Sequence, residues 1–319
     1  MKKCKICSSI EGNILLTLEE KMYGTGEPFE YIHCATCGCI QLSTVPSNMQ
    51  KYYQGNYSAY NVRQKKKGFI MDLLRKWSAS YCTGISRHPG GLLTYRLFGA
   101  GFVEKFKNMQ IPFSTKILDI GTGAGQNLQS LQRYGFTNVS GTDLFTPDDI
   151  LNKAGLNIKK ISVFDIKEKY DLIMLNHVLE HMDEQHKVVK KLHEICNDDG
   201  LVMIRVPVNG GYSYRKYGKN WVAFDAPRHF YIHSVYSLTH LFKANGFELD
   251  KLFYDSSDYQ FWASEQYQLG ISLHDERSHS INPDKGIFTS KQINAFRKKA
   301  LELNNINDGN AAVFFFRKR

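Results

Sequence analysis

Two pairs of cysteines near the N-terminus have the spacing of metal ligands. Cys4 and Cys7 form one CxxC pair, Cys34 and Cys37 form the other, and 26 residues separate the pairs. A CxxC turn directs two thiolates at one ion, and two such turns complete a closed tetrahedral zinc site. We therefore predict that these four cysteines bind a structural Zn²⁺.

The residues between the two cysteine pairs support this prediction. Residues 14–18 and 29–33 alternate well enough to form a β-hairpin, and two glycines lie between them. A segment this small holds no core of its own without a metal, which favours zinc over a redox pair or scattered surface cysteines. Cys39 and His33 are the reserve ligands if one of the four is wrongly chosen.

A glycine-rich loop, Asp119-Ile-Gly121-Thr-Gly-Ala-Gly125, follows a short apolar strand and precedes a helical stretch. Glycines allow a tight turn and let the backbone approach a ligand closely. A nicotinamide-dependent dehydrogenase would need a glycine or alanine at the sixth position from Gly121, where this chain has Gln126. An acid two residues before the first glycine suits a ligand with a cationic amino group, so the pattern indicates S-adenosylmethionine.

Strand-like and helical segments alternate from residue 116 onward. The expected strands are residues 116–120, 139–144, 161–164, 170–176, 201–206, 247–253 and 311–316, with helices at about 126–134, 183–196 and after Ser234. This alternation predicts an α/β fold with a doubly wound, Rossmann-like sheet of seven strands. Ligands of such sheets bind beyond the carboxyl ends of the strands, where Asp119, Asp143 and Asp165 are expected.

Residues 117–206 resemble the class I S-adenosylmethionine-dependent methyltransferases. The glycine loop matches the family's first motif, Asp143 its ribose-binding acid, and Val163-Phe164-Asp165 its adenine-contacting position. The segment Asn176-His177-Val-Leu-Glu-His181 matches the motif after the fourth strand of the domain. The resemblance implies that the cofactor contacts are Asp119, Gly121, Thr122, Gly123, Gly125, Asp143, Leu144, Phe164, Asp165, Asn176 and His177.

A wider resemblance covers nearly the whole chain. The tyrosine-rich segment 52–58 after the cysteines, together with segments 221–229 and 256–267, resembles one bacterial subgroup of these enzymes. That subgroup joins an N-terminal zinc ribbon to the methyltransferase domain and is often associated with polysaccharide or secondary-metabolite biosynthesis. The zinc module also looks similar to deoxysugar C-methyltransferases, but their further C-terminal domain is not expected here, which argues against C-methylation of a keto-sugar.

The resemblance and the composition together suggest three regions. We predict a zinc ribbon at 1–45, an aromatic and basic helical connector at 46–110 that could serve as a lid, and a methyltransferase domain at 111–319. Within the last region, 207–233 and 255–305 are expected to be insertions on the substrate side.

Methyl transfer to a hydroxyl requires removal of a proton, and histidine suits this task because its pKa lies near 7. His181 follows the fourth strand of the domain and His229 follows the fifth. We predict that His229 is the general base and that His181 is a second base or a hydrogen-bond donor to the substrate. A structural histidine held by a backbone carbonyl is the alternative for each. Further substrate contacts are expected from Tyr57, Asp225, Arg228 and Trp262.

The net charge of +10 is not evenly distributed. Residues 1–116 carry 16 Lys+Arg and 7 Asp+Glu, whereas residues 117–319 carry 25 and 24. The expected acceptor is an oxygen, or a carbon, of a sugar or other small molecule, including a nucleotide- or lipid-linked one. The alternative is an RNA methyltransferase that binds RNA phosphates through its zinc module and the basic N-terminal third of the chain. It is less favoured because the catalytic part is charge-balanced and lacks an Asn/Asp-Pro-Pro-Tyr/Phe motif. A cofactor-binding module without activity is a third hypothesis.

Hydropathy limits the location of the protein. No apolar stretch approaches the roughly 20 residues of a membrane span. The basic N-terminus is not followed by the apolar run of a secretory signal. We therefore expect a cytoplasmic protein without a transmembrane segment.

Overall fold

The structure is a computed structural model that describes residues 2–53, 68–145, 156–284 and 286–319. Tyr57 and the basic run at 63–67, both considered in the sequence analysis, lie outside the described residues.

Secondary structure covers most of the described chain. The strands are β1 (Ile14–Glu19), β2 (Pro28–His33), β3 (Ile40–Leu42), β4 (Ile117–Ile120), β5 (Val139–Thr142), β6 (Asn157–Lys159), β7 (Tyr170–Asn176), β8 (Cys196–Pro207), β9 (Tyr231–Ile232), β10 (Phe247–Tyr254) and β11 (Ala311–Lys318). The α-helices are α1 (Phe69–Thr83), α2 (Pro89–Phe98), α3 (Gln126–Arg133), α4 (Gln185–Ile195), α5 (Tyr212–Tyr217), α6 (Val235–Lys243), α7 (Tyr259–Gln268) and α8 (Ser290–Asn305).

Seven strands form one sheet in the order β10-β11-β8-β7-β4-β5-β6. Strand β4 pairs in parallel with both β5 and β7, so that Ile117 lies opposite Val139 on one side and Leu172 on the other. All four residues of β4 are buried, as expected of a parallel strand covered on both faces. The sheet is Rossmann-like and mostly parallel, which confirms the predicted fold class.

Apolar periodicity located the helices next to this sheet. Helix α4 falls within the predicted segment and buries Val188, Val189, Leu192 and Ile195 at helical spacing. Helix α6 begins after Ser234, whose hydroxyl accepts a hydrogen bond from the backbone N–H of Ser237 in a capping box.

Two segments of the prediction were wrong. Residues 161–164 were expected to form a strand ending at Asp165, but Val163–Asp165 is a 3-10 turn and the neighbouring strand is β6. The Ser162 hydroxyl accepts a hydrogen bond from the Phe164 N–H, which favours a turn over a strand ladder. Residues 198–200, which lie between the expected helix at 183–196 and the expected strand at 201–206, are instead part of β8, where Asp199 adopts a left-handed φ of 58°.

A second sheet contains the N-terminal hairpin. Its strand order is β1-β2-β3-β9, and β1 pairs with β2 so that Ile14 lies opposite His33. The short β3 continues the sheet and pairs Ile40 with Ile232 of β9. The hairpin was therefore predicted correctly, whereas the pairing of β3 with β9, a strand almost 200 residues later, was not foreseen.

The described residues fall into two compact units. The first contains Met1–Gln54, His177–Lys190 and Ile204–Arg317, as far as these are described. The second contains the described parts of Gly55–Asn176, with Lys191–Met203 and Lys318–Arg319. The three predicted regions stay a prediction. In the described part of the chain, no helix has both the length and the apolarity needed to cross a membrane.

Candidate functional site

The four predicted zinc ligands come together in the first unit. One sulfur from each of Cys4, Cys7, Cys34 and Cys37 lies within 4.8 Å of the other three. The Cys4 and Cys37 sulfurs are 3.7 Å apart, and the Cys7 and Cys34 sulfurs are 3.5 Å apart. Zn–S bonds of about 2.3 Å place the sulfurs of a tetrahedral site roughly 3.8 Å apart. The donor set and its spacing therefore fit a closed tetrahedral zinc site.

The local backbone supports this arrangement. The N–H of Ile6 donates to the Cys4 sulfur, and the N–H of Cys37 donates to the Cys34 sulfur. The hydrogen bond between the Cys4 and Cys37 sulfurs lowers the pKa of Cys4 and raises that of Cys37, so in the metal-free protein the pair holds one thiolate and one thiol. Cys39 is buried but lies outside the cluster, and its thiol donates to the carbonyl of Ile40.

The glycine loop in the second unit connects β4 to α3. Gly121, Gly123 and Gly125 all have positive φ, at 68°, 54° and 77°. A Cβ on Gly125 would lie 2.7 Å from the Ile158 side chain and 2.8 Å from that of Leu156. Positive φ and close packing therefore both require glycine at this position.

Asp119 is a buried carboxylate without a cationic partner among the described residues. Its side chain is 1% exposed, and the Thr122 hydroxyl donates to its Oδ2 at 2.8 Å. Burial raises the pKa of Asp119 to about 7, although the hydrogen bond from Thr122 and the polar side chains of Asn127 and Asn176 oppose the shift. A buried carboxylate in this state gains most from a bound cationic group.

Asp143 follows β5 and is bound to the glycine loop. Its Oδ2 accepts a hydrogen bond from the Gly123 N–H at 2.9 Å, and its Oδ1 accepts one from the Phe145 N–H at 2.8 Å. The next residue, Leu144, is half exposed, as is Phe164. Asp165 is exposed in its 3-10 turn rather than at a strand end.

The two predicted catalytic histidines form a pair in the first unit. The rings of His181 and His229 are 4.7 Å apart between centroids and meet edge to face at 68°. His181 Nδ1 bonds to the carbonyl of Arg228 at 2.8 Å, and His229 Nδ1 bonds to that of Ala223 at 2.7 Å. Because a carbonyl only accepts, each Nδ1 carries a proton, so in the neutral form of either ring the lone pair lies on Nε2. Burial, followed by the charge of His229, lowers the pKa of His181, so its ring is neutral at pH 7.

Arg228 was expected to contact the substrate, but its side chain is buried in an ion-pair cluster. Its guanidinium is fully buried and donates to Asp225 Oδ1 at 2.9 and 2.7 Å, to Glu20 Oε1 at 2.8 Å and to the Tyr52 carbonyl at 3.2 Å. With its donors so occupied, this side chain holds two carboxylates together and offers no fork to a substrate. Asp225, also expected near the substrate, belongs to the same ion-pair cluster.

The predicted contact Trp262 also lies in the core. Its side chain is 9% exposed on α7, packs in an apolar cluster with Val222 and Phe288, and meets His279 edge to face at 5.1 Å. A side chain that contacts the substrate would be more exposed than this one. Tyr57 lies outside the described residues.

Two polar residues of the site were not foreseen. Glu20 is 208 residues from Arg228 in sequence, so no local pattern could show their pairing. Glu180 lies inside the motif that was recognised after β7, but no role was predicted for it. Its side chain is fully buried, and its Oε1 lies 3.0 Å from His177 Nδ1. His177 also contacts Arg205 and adopts a left-handed φ of 53°.

A parallel sheet with a glycine loop after one strand and acids at the ends of adjacent strands defines a nucleotide-cofactor-binding protein. Comparison with known families makes this class more specific. The methyltransferase-domain family matches residues 89–252, which is more than half of the chain. The chain belongs to this family, and the predicted class of enzyme domain is confirmed.

Individual relatives match a smaller part of the chain. The human EEF1A lysine methyltransferase 2 is 29% identical over 116 residues, covering 30% of this chain and 48% of its own. The ubiquinone biosynthesis O-methyltransferase of Glaesserella parasuis is 30% identical over 108 residues, covering 29% and 45%. The chain thus spans about half the length of the curated relatives it matches. A cyclopropane synthase of known structure from Mycobacterium tuberculosis has a TM-score of 0.41 at 14% identity, covering 64% of this chain and 78% of its own.

Proposed function

We propose that this protein transfers a methyl group from S-adenosylmethionine to an oxygen of a sugar or other small molecule, with a carbon acceptor as the less favoured form. The pair of histidines, each bound through Nδ1 to a backbone carbonyl and so able to accept a proton at Nε2, carries this proposal, because a hydroxyl must lose its proton to become a methyl acceptor. The family match and the O-methyltransferase among the relatives support it.

The cofactor would be held by the glycine loop. Asp119 fits its ammonium group because the carboxylate is buried and lacks a cationic partner among the described residues. Asp143 would accept the ribose hydroxyls, while the half-exposed Phe164 would contact the adenine. The remaining predicted contacts, Leu144, Asp165, Asn176 and His177, remain part of the proposal. When bound, S-adenosylmethionine supplies an electrophilic methyl group on a sulfonium centre.

The chain's own contribution is to orient and deprotonate the acceptor. His229, whose side chain is 12% exposed, is the proposed base, and its Nε2 would take the hydroxyl proton. His181 would orient the same hydroxyl or act as a second base. Only four residues separate His181 from Asn176 along the chain, so the motif after β7 carries one member of the pair.

Zinc would have a structural role in this proposal. Cys4, Cys7, Cys34 and Cys37 would occupy all four positions of a tetrahedral ion and leave none for a reactant. Together with the resemblance of the tyrosine-rich segment, this cysteine cluster supports placement in the polysaccharide-associated subgroup.

The proposal is tested by following a radiolabelled methyl group. The purified protein would be incubated with labelled S-adenosylmethionine and, separately, with nucleotide-sugars, small hydroxyl compounds, total RNA and a protein extract. We expect label in a small-molecule acceptor. Label confined to RNA or to protein lysine would refute the proposal and support the alternatives that the basic first third and the lysine methyltransferase relative suggest.

A matched pair of variants tests the base. His229→Gln should lower the single-turnover rate by roughly 100-fold or more with cofactor affinity unchanged. His240→Gln, on the exposed side of α6, should leave the rate unchanged. If the His229 variant retains the wild-type rate, the assignment of the base is wrong.

A further inference from the structure

A second cluster of potential metal ligands lies apart from the four cysteines. Glu180, His181 and His229 each offer one ligand atom, and these atoms lie within 4.8 Å of one another. Two of the three are consecutive in the turn after β7, and the third comes from the segment before β9. Two histidines and one carboxylate are a donor set typical of divalent transition metals.

The histidines are oriented as metal ligands are in proteins. A metal-ligating histidine almost always donates its other ring N–H to a carboxylate or a backbone carbonyl, which fixes its tautomer and ring plane. Both rings do this here through Nδ1, to the carbonyls of Arg228 and Ala223. The Nε2 lone pairs are then fixed in orientation without movement of the backbone.

The Glu180 carboxylate supplies the independent observation. Its side chain is fully buried, and Oε2 has no hydrogen-bond partner in the described part of the chain. Oε1 is already bound to His177 Nδ1 at 3.0 Å, as a ligating carboxylate would be by a neighbouring group. An orphaned buried carboxylate oxygen is costly, so it requires a ligand or an ion.

The neighbouring charged side chains do not supply a partner for Glu180 Oε2. Arg228, the buried cation nearest in sequence to His229, gives its donors to Glu20, Asp225 and a backbone carbonyl. The second oxygen of Asp225 lies 3.9 Å from His229 Nε2, which is too long for a hydrogen bond but adds negative charge beside the cluster. Because Nδ1 of both rings and Oε1 of Glu180 already have partners, a cation here would be bound through the two Nε2 atoms and Glu180 Oε2.

We infer that Glu180, His181 and His229 bind a divalent transition-metal ion of the Zn²⁺, Fe²⁺ or Co²⁺ type, distinct from the ion of the four cysteines. Three protein ligands leave further coordination positions for water or for an acceptor oxygen. Only this last role depends on the proposed function. In the ion-bound protein, the ion would then lower the pKa of the acceptor hydroxyl, and the proton would pass to solvent water instead of to an imidazole.

Cobalt binding distinguishes the two sites. The full chain, stripped of metal by a chelator under reducing conditions, would be titrated with Co²⁺ and followed by visible absorption and calorimetry. We expect two classes of site, one with a thiolate-to-cobalt charge-transfer band and one without it. Glu180→Gln, His181→Gln and His229→Gln should each weaken the second class by at least about 100-fold, more than loss of an outer-shell partner typically does. His240→Gln should weaken neither.

The thiolate band also reports folding, because the cysteines and the three ligands belong to the same unit. A variant that keeps this band is folded, and His229→Gln, at a partly exposed ring, is the variant least prone to unfold. One class of site in the wild type, or a second class that persists in all folded ligand variants, would overturn the inference. The titration needs neither cofactor nor acceptor, so metal binding without methyl transfer would refute the proposed function alone.

Discussion

Proton release on cofactor binding is the sharpest prediction for Asp119. Burial raises the pKa of this carboxyl from 3.8 to about 7 in the cofactor-free protein. If the cofactor ammonium binds only the ionised carboxylate, affinity follows the ionised fraction. That fraction, and with it the affinity, should rise about 25-fold between about pH 5.5 and about pH 7.5. Isothermal titration calorimetry in buffers of different ionisation enthalpy should show nearly one proton released near pH 6.

Asp119→Asn removes the titration and keeps the shape of the side chain. Its cofactor affinity should be almost independent of pH over the same range, and at pH 7.5 it should be roughly 10- to 150-fold weaker, since a charge-assisted hydrogen bond is worth about 1.5–3 kcal/mol. Any pH dependence of affinity that remains in Asp119→Asn does not come from Asp119. Subtracting it from the wild-type pH dependence leaves the part that is due to this carboxyl.

The same shift predicts an opposite effect on stability. A carboxyl whose pKa is raised in the folded state favours the protonated fold. Asp119 alone should therefore contribute a loss of stability of order 4 kcal/mol to the cofactor-free protein as the pH rises from about 4 to about 7, measured as the difference between wild type and Asp119→Asn. Asp119→Asn should lack this loss and be the more stable protein at pH 7.5, although it binds cofactor more weakly. Equal wild-type affinity at pH 5.5 and pH 7.5, or a variant with the wild-type pH dependence, would refute the reasoning.

Three further substitutions test the supporting structure. Glu20→Gln should lower the free energy of unfolding by about 3 kcal/mol in chemical denaturation because it breaks a buried ion pair, whereas Glu19→Gln, in an exposed pair, should cost less than about 1 kcal/mol. Gly125→Ala should cost about 1–3 kcal/mol and weaken cofactor binding, since its Cβ would meet side-chain carbons at 2.7 and 2.8 Å with φ at 77°. Cys37→Ser should abolish zinc binding at the cysteine cluster, whereas Cys39→Ala should leave that zinc content unchanged, as mass spectrometry of the metal would show.

Local chemistry made part of the fold predictable. The glycine loop required positive φ at Gly121, Gly123 and Gly125, and only glycine adopts that conformation without strain. Helix α4 was visible because its buried residues recur every three to four positions. The clustering of the four cysteines was predictable because two CxxC pairs have the ligand spacing of a tetrahedral metal site.

The parts that could not be predicted depend on contacts between distant residues. The sequence around Arg228 does not show whether this side chain binds a substrate or forms a buried ion pair, because its partner Glu20 is 208 positions away. Trp262 is similarly ambiguous, since the sequence alone does not show whether an aromatic side chain on a helix contacts the substrate or packs in the core. The turn at Val163–Asp165 was missed because a single hydroxyl, that of Ser162, decides between turn and strand in a short apolar segment.

The N-terminal hairpin contacts the segment that orients His181 and His229. Strand β3 pairs with β9, which begins two residues after His229, and the Tyr31 hydroxyl donates to the His229 carbonyl at 2.9 Å. Glu20, at the end of β1, binds the side chain of Arg228, whose own carbonyl accepts from His181. The hairpin thus bonds to both sides of the segment that orients the two rings. If the four cysteines bind the proposed zinc, removal of that ion by a chelator should loosen the cysteine end of the hairpin and disturb the histidine pair as well.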